Sequence, residues 1–218
     1  MNLRDATAAA GLIAPLVAAL GILGATLLDP SFAWTTSALS DTGALPDGRS
    51  VTWSFVGSNP QFLVFNGGLI LTGLLGVPFT ARLWSRAENL PHQVGVVAFV
   101  VAIVALGLVG VFHLPRPPHG VVAITHYLAA TVALWTYGTG SVLAGAVRRG
   151  LATIWLGIGH LLFWLVWAAA LSSGPIPGLA IPETVGAAIF GGWVVATALE
   201  ELGWWRPTRS VGGTADRL

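Results

Sequence analysis

Apolar stretches of about 20 residues recur along the chain and limit its fold more strictly than any other feature. A helix of this length crosses the ~30 Å hydrocarbon core of a bilayer. We predict membrane-spanning helices over residues 8–28, 62–83, 94–114, 121–147, 151–171 and 182–202. Only 9% of the 218 residues are charged, whereas an average soluble domain has about 25%. The sequence therefore predicts an all-α, polytopic membrane bundle of about six transmembrane helices in one domain, residues 1–205, and excludes a water-soluble fold.

The basic residues are all arginines, and they are unevenly divided between the predicted loops. One side of the bundle carries Arg4, Arg82, Arg86, Arg148, Arg149, Arg206, Arg209 and Arg217. The other side carries Arg49 and Arg116. Because cytoplasmic loops are enriched in basic residues, we predict that both termini are cytoplasmic in a multi-pass plasma membrane protein. Residues 29–60 then form an outer loop, and residues 206–218 form a disordered cytoplasmic tail.

The absence of cysteine and lysine from the sequence removes several kinds of chemistry. Thiolate metal sites, thiol nucleophiles and a lysine Schiff base are excluded. There is no GxSxG, P-loop or GxGxxG motif, no compact histidine spacing typical of zinc sites, and no basic stretch for nucleic acid. We predict no cofactor, no metal and no nucleic-acid partner. The predicted partners are membrane lipids and a lipid or hydrophobic small-molecule substrate, and the oligomeric state stays open.

Polar side chains gather at the predicted outer ends of the helices. They are Ser37, Ser40, Asp41, Asn66, His113, His119, His126 and Glu183. Asp41 lies in a segment whose apolar and hydroxyl residues suit a return into the bundle. Partial desolvation there would favour the protonated carboxylic acid, so Asp41 is predicted to be a general acid. The competing interpretation is an exposed aspartate that caps a short helix.

His126 is the strongest single candidate for a functional residue. It is predicted to lie one to two turns inside the fourth transmembrane helix, and ionisable groups at such depth are typically functional. We therefore predict that Asp41 and His126 are catalytic, with His126 as the partner or base. The alternative is a neutral imidazole that hydrogen-bonds across helices.

A second set of residues is predicted to bind the substrate. It comprises Ser37, Ser40, Asn66, His113, His119, Trp135, His160, Trp164 and Glu183. Most have a structural alternative as well. Glu183 suits the positive end of a helix dipole, and His113 and His119 flank a rigid proline-rich loop at the membrane surface. Trp135 and Trp164 suit lipid or core packing as well as a pocket that stabilises a cation.

Three stretches of the sequence resemble the bacterial and archaeal membrane family known as domain of unknown function 998. They are residues 37–44, residues 65–68 with Gly73, and residues 107–112 leading to His126. The family pattern of a Ser-acid-x-Gly segment, an asparagine entering the second helix and a histidine early in the fourth corresponds to Ser40, Asp41, Gly43, Asn66 and His126. The sequence departs from the family pattern at two positions: it has Asp41 where the relatives more often have glutamate, and His113 where they tend to have proline. The resemblance implies a six-helix bundle and no particular activity.

Our leading functional hypothesis is an intramembrane acid–base enzyme that acts on a lipid or isoprenoid. One version is a membrane terpene cyclase, in which Asp41 protonates an alkene or epoxide and tryptophan faces stabilise the cation; another is a lipid hydrolase. The first alternative is a small-molecule or proton-linked transporter that uses Asp41, His126 and His160 as a relay. The second is a non-catalytic assembly subunit whose partner surface is the outer loop.

Overall fold

A computed structural model describes residues 3–171 and 178–204, and all the regular structure in these ranges is helical. The helices are α1 (Leu3–Leu28), α2 (Trp53–Ser58), α3 (Pro60–Ser85), α4 (Leu90–Val111), α5 (Pro118–Leu143), α6 (Val147–Leu171) and α7 (Ala180–Glu201). All of these except the short α2 are long and apolar enough to cross a membrane. This confirms the predicted bundle, and the chain is a multi-pass integral membrane protein. The predicted tail, 206–218, lies outside the described residues.

The transmembrane helices pack mainly in chain order, and α7 closes the arrangement. Contacts run from α1 to α3, α3 to α4, α4 to α5 and α5 to α6, while α7 packs between α1 and α6 and also touches α5. We call the end of the bundle with Leu3, Glu201 and the 86–89 and 144–146 connections the terminal face. The opposite end, with residues 29–59 and 112–117, is the loop face.

Close helix contacts depend on glycine, as expected where lipid supplies no hydrophobic driving force between helices. A Cβ atom placed on Gly73 of α3 would lie 3.0 Å from the Cα of Gly107 in α4. Between α1 and α3, a Cβ on Gly21 would lie 3.2 Å from the Cα of Gly68. The backbones of these helices therefore approach each other directly, and a side chain at these points would push them apart.

The connection between α5 and α6 differs from the sequence prediction. The prediction placed the break at residues 148–150, where two arginines precede a glycine. In the structure, α5 ends at Leu143 and α6 begins at Val147. The turn between them contains Gly145 with φ of 84°, a conformation that favours glycine. The arginines lie in the first turn of α6, so the conformation of Gly145 sets the break.

The outer loop contains a short 3-10 turn that returns into the bundle. Residues Leu39–Gly43 form a 3-10 turn in which Leu39, Ser40, Thr42 and Gly43 are buried. Asn66 Nδ2 in α3 donates a hydrogen bond to the Gly43 carbonyl oxygen at 2.9 Å. The backbone N–H of Ala180, at the start of α7, donates to the Ser37 carbonyl oxygen at 2.9 Å. The turn is therefore fixed between α3 and α7.

Ion pairs join the helix ends at the terminal face. Glu201 of α7 pairs with Arg82 and with Arg86 of α3, the latter at 3.1 Å. Glu200 pairs with Arg149 of α6 at 2.5 Å. Some of the arginines used to predict a cytoplasmic terminal face therefore also connect α3, α6 and α7.

Candidate functional site

A cavity of about 390 Å³ lies in the middle of the bundle. Its walls come from α1, α3, α4, α5, α7 and the 3-10 turn, and we call it the central cavity. The lining extends from Gly11 to Leu23 on α1 and from Glu183 to Val195 on α7. Each stretch is about 18 Å long at a rise of ~1.5 Å per residue, so the cavity is elongated along the helices. Its volume falls within the usual range for small-molecule sites, about 300–1,000 Å³.

Most of the cavity wall is apolar. Phe79 of α3, Phe99 of α4 and Phe190 of α7 line it together with Leu69 and Ile103. The ring centroids of Phe79 and Phe99 are 5.9 Å apart, and those of Phe99 and Phe190 are 5.7 Å apart. A wall of aromatic rings and branched aliphatic side chains suits a hydrocarbon chain and also presents π faces to a cation.

Polar side chains concentrate toward the loop-face end of the central cavity. The lining there includes Ser40, His119, His126, Tyr127 and Glu183. Two threonines, Thr72 and Thr184, also line the cavity, but their hydroxyls donate to the carbonyl oxygens of Gly68 and Ala180 in their own helices, each at 2.7 Å. The central cavity is therefore amphipathic, with its ionisable groups at one end.

Glu183 is the acidic residue in this polar end. It lies in the first turn of α7, where the helix dipole favours a negative charge. Its Oε2 accepts a hydrogen bond from the backbone N–H of Leu39 at 2.6 Å. Tyr127 Oη donates to the backbone carbonyl oxygen of Glu183 at 3.3 Å. The helix start, the 3-10 turn and α5 together fix the position of this carboxyl group.

His126 lies in α5, eight residues after Pro118, and is only 4% exposed. Its Nδ1 is 2.9 Å from the carbonyl oxygen of Ala102 in α4. Because a carbonyl oxygen can only accept, Nδ1 carries the hydrogen, and Nε2 of the neutral ring has a free lone pair. The predicted cross-helix hydrogen bond is therefore present, and the same histidine also lines the central cavity.

His113 and His119 flank the proline-rich connection but have different surroundings. Both are buried. His119 Nδ1 is 2.9 Å from the Phe112 carbonyl oxygen, and its ring lines the central cavity. His113 Nδ1 is 3.0 Å from the Leu114 carbonyl oxygen, and its ring packs edge-on against Phe62. His113 does not line the cavity.

Asp41 does not have the surroundings that the sequence analysis predicted. Its side chain is exposed, and Oδ2 accepts a hydrogen bond from the backbone N–H of Ala38 at 2.8 Å. The prediction of a desolvated carboxylate is therefore wrong. Ser40 and Thr42 of the 3-10 turn are directed inward, whereas Asp41 is directed toward the N-terminal end of the turn. Asp41 therefore caps the turn and does not line the central cavity. Its catalytic role stays a prediction.

Ser37 and Asn66 hold the 3-10 turn and do not line the cavity. Ser37 Oγ accepts from the backbone N–H of Ala33 at 3.2 Å. Asn66 donates from Nδ2 to the carbonyl oxygens of Gly43 and Phe62, each at 2.9 Å, while its buried Oδ1 has no hydrogen-bond partner among the described residues. These two predicted substrate-binding residues position the turn that carries Ser40.

His160, Trp164 and Trp135 pack behind the cavity wall. His160 Nδ1 is 2.8 Å from Thr131 Oγ1. The ring centroid of Tyr127 is 6.0 Å from that of His160 and 4.6 Å from that of Trp164. Trp135 packs on α6 at Gly157. His160 and Trp164 therefore support Tyr127 from the side opposite to the cavity.

Sequence reasoning did not identify Tyr127 or the three phenylalanines of the wall. Tyr127 directly follows His126, and a tyrosine within a membrane span presents an apolar ring with one polar group that needs a partner. A tyrosine directly after a histidine within a membrane span is therefore the sequence signal that could have identified Tyr127. The described residues contain no group of three or more His, Asp or Glu side chains arranged to hold a metal ion.

Comparison with known proteins gives one match. A family model described as DUF998, protein of unknown function, matches residues 12–200. The matched region includes Ser40, His119, His126, Tyr127 and Glu183. No match was found among curated proteins or among solved structures.

Proposed function

The chain belongs to the family DUF998, and we propose that this family member is an intramembrane acid–base enzyme acting on a lipid or isoprenoid in the central cavity. The observation that carries the proposal is the position of Glu183 and His126. They come from different helices and line the same elongated apolar cavity at its polar end. An acid and a base beside an apolar chain are the groups required for proton-transfer chemistry on a hydrocarbon substrate.

In this proposal Glu183 replaces Asp41 as the proton donor. Glu183 lines the central cavity, whereas Asp41 is exposed and caps its own turn. His126 serves as the base through Nε2, because its Nδ1–H is held by the Ala102 carbonyl oxygen. That bond also fixes the orientation of the ring.

A membrane terpene cyclase is the version of the reaction that best fits the aromatic wall. The Glu183 carboxyl group gives its proton to an alkene carbon or an epoxide oxygen, and the resulting cation adds to a second alkene of the same chain. His126 Nε2 then removes a proton from carbon, so substrate and product are isomers. Phe99, Phe190 and Tyr127, which line the cavity, would stabilise the cation through their π faces. Trp135 and Trp164 do not line it and are not assigned this role.

Isotope incorporation tests the proposal and does not require the substrate to be identified beforehand. The purified protein is reconstituted in liposomes of a total bacterial lipid extract, incubated in D2O or in H2(18)O, and the lipids are analysed by high-resolution mass spectrometry. Proton transfer to carbon would leave deuterium in a position that does not exchange back, while hydrolysis would introduce 18O. Cyclisation of an epoxide would leave no stable label but would give an isomer of unchanged mass and altered chromatographic retention. The absence of both isotopes and of any such isomer from the wild-type samples would overturn the proposal.

Variants assign the incorporation to the site. We expect Glu183→Gln and His126→Ala each to lower the incorporation rate by about 10²–10⁴-fold, the usual contribution of general acid–base catalysis. Glu88→Gln makes the same chemical change at an exposed glutamate of the terminal face and serves as the matched control. Loss of incorporation in Asp41→Asn with full activity in Glu183→Gln would return the role of acid to Asp41.

The aromatic packing between His126 and the terminal face weighs against the transporter alternative. Phe99, Phe190 and Trp193 are in ring contact with one another, with centroids 5.7–6.1 Å apart. Trp193 also contacts Tyr137, which in turn packs on His92 near the terminal face. This aromatic layer separates His126 from the polar groups at the terminal face. A proton relay between His126 and Tyr137 would have to pass Phe99, Phe190 and Trp193, none of which can carry a proton.

A further inference from the structure

We propose that the polar end of the central cavity receives a headgroup that donates hydrogen bonds and carries no negative charge, such as a hydroxyl or a primary amine. A phosphate or diphosphate headgroup is disfavoured. This inference rests on the proposed function, because it names the substrate class of the same site. Three features of the site lead to it: the histidine hydrogen bonds, the carboxyl group of Glu183 and the placement of the arginines.

Both histidines in the cavity wall present acceptors to it. His126 Nδ1 is held by the Ala102 carbonyl oxygen, and His119 Nδ1 is held by the Phe112 carbonyl oxygen. Each Nδ1 must therefore donate, and each Nε2 of the neutral ring is left with a lone pair. His119 and His126 are seven residues apart in α5, so they lie on one face of the helix about two turns apart.

Glu183 adds a further acceptor. Its Oε2 already accepts from the Leu39 N–H, and among the described residues no donor is bonded to Oε1. Tyr127 uses its hydroxyl hydrogen on the Glu183 backbone, so toward a ligand in the cavity that Tyr127 lines its oxygen can act only as an acceptor. Ser40 Oγ, which hydrogen-bonds to no described residue, has a free hydrogen, and so has the Glu183 carboxyl group when it holds the proton that the proposed reaction requires. The two histidine Nε2 atoms, the other Glu183 oxygen and the Tyr127 oxygen are acceptors. A ligand that brings donors would satisfy this end of the cavity.

The placement of the arginines disfavours an anionic headgroup. None of the described residues that line it is an arginine, and the chain has no lysine. The two arginines of the loop face, Arg49 and Arg116, are exposed, and Arg116 Nη1 donates to the Val111 carbonyl oxygen at 3.1 Å. A phosphate beside Glu183 would therefore be buried next to a carboxyl group without an arginine or lysine as counter-charge, which is unfavourable.

Competition between headgroups on one tail tests the inference. Purified protein in a gentle detergent is mixed with equal concentrations of geranylgeraniol, geranylgeranylamine and geranylgeranyl phosphate, and native mass spectrometry quantifies the one-to-one adducts. We expect the alcohol and amine adducts each to exceed the phosphate adduct by at least about tenfold, which corresponds to ~1.4 kcal/mol. In Glu183→Gln the amine should lose its advantage over the phosphate, while in Glu88→Gln the ratios should match those of the wild type.

The outcomes separate this inference from the proposed function. A phosphate adduct equal to or stronger than the alcohol adduct would overturn the headgroup inference, as would the absence of a specific adduct with all three probes. Headgroup selectivity with neither isotope incorporation nor formation of an isomer would leave the headgroup inference in place and overturn the enzyme proposal. Isotope incorporation into a phosphorylated lipid would support the enzyme proposal and overturn the headgroup inference.

Discussion

Two carboxylates near the loop face differ in their surroundings, and this difference decides which of them can act on a buried substrate. Asp41 accepts a hydrogen bond from the backbone three residues earlier and is exposed. Glu183 accepts from a different segment of the chain and lines the central cavity. Both residues could be recognised from sequence as candidate functional groups. Which of them faces inward depends on the orientation of one short 3-10 turn, and the sequence pattern contains no signal for it.

Asn66 provides a prediction at the residue scale. Asn66→Ala removes two hydrogen bonds and leaves the buried Gly43 carbonyl oxygen without its donor. We expect a loss of about 1–2 kcal/mol in the free energy of unfolding, measured by denaturant titration in detergent. Asn59→Ala is the control, because its Nδ2 donates only to the Phe55 carbonyl oxygen one turn away. Equal losses in the two variants would contradict the role of Asn66 in holding the turn.

At the scale of helices, apolar length predicts the transmembrane elements well, because a bilayer requires spans of a defined length. All six predicted spans overlap helices of the structure. The cavity is harder to predict, because it depends on which faces of α1, α5 and α7 are turned toward one another in the bundle. Tyr127 illustrates this limit, since its contact with the Glu183 backbone joins residues 56 positions apart. Nothing local in the sequence indicates that contact.

The crossing of α3 and α4 gives a prediction at the element scale. A Cβ atom on Gly73 would lie 3.0 Å from both the Gly107 Cα and the Ile103 carbonyl oxygen, so Gly73→Ala must separate the two helices. We expect a lower Tm in detergent. The matched control is Gly67→Ala in the same helix, where the nearest atom is a Leu63 side-chain carbon at 3.8 Å. There the higher helix propensity of alanine should keep or raise the Tm. A Gly73→Ala protein as stable as Gly67→Ala would contradict close backbone packing at this crossing.

At the scale of the whole molecule, an even number of spans places both ends of the described chain on one face of the membrane. The arginine distribution predicts that this face is cytoplasmic. The ion pairs of Glu200 and Glu201 show that several of these arginines also have structural partners. Orientation is therefore a separate question from packing and needs its own measurement.

Cysteine labelling measures the orientation, because the chain contains no cysteine of its own. Ser50→Cys and Ser85→Cys place single thiols at exposed positions of the loop face and the terminal face. In intact cells, a membrane-impermeant maleimide should label Ser50→Cys, and it should label Ser85→Cys only after permeabilisation. The reverse pattern would place the termini outside.

The central claim is that the central cavity holds one lipid or isoprenoid molecule. Native mass spectrometry of the purified protein tests this claim most directly. We expect the wild type in gentle detergent to retain a single apolar molecule of defined mass. Ala187→Phe places a ring in the central cavity, so this variant should lose the bound molecule. Val166→Phe lies on the exposed face of α6, so this variant should retain the bound molecule. A wild-type protein without any bound molecule, or equal retention by both variants, would contradict the account.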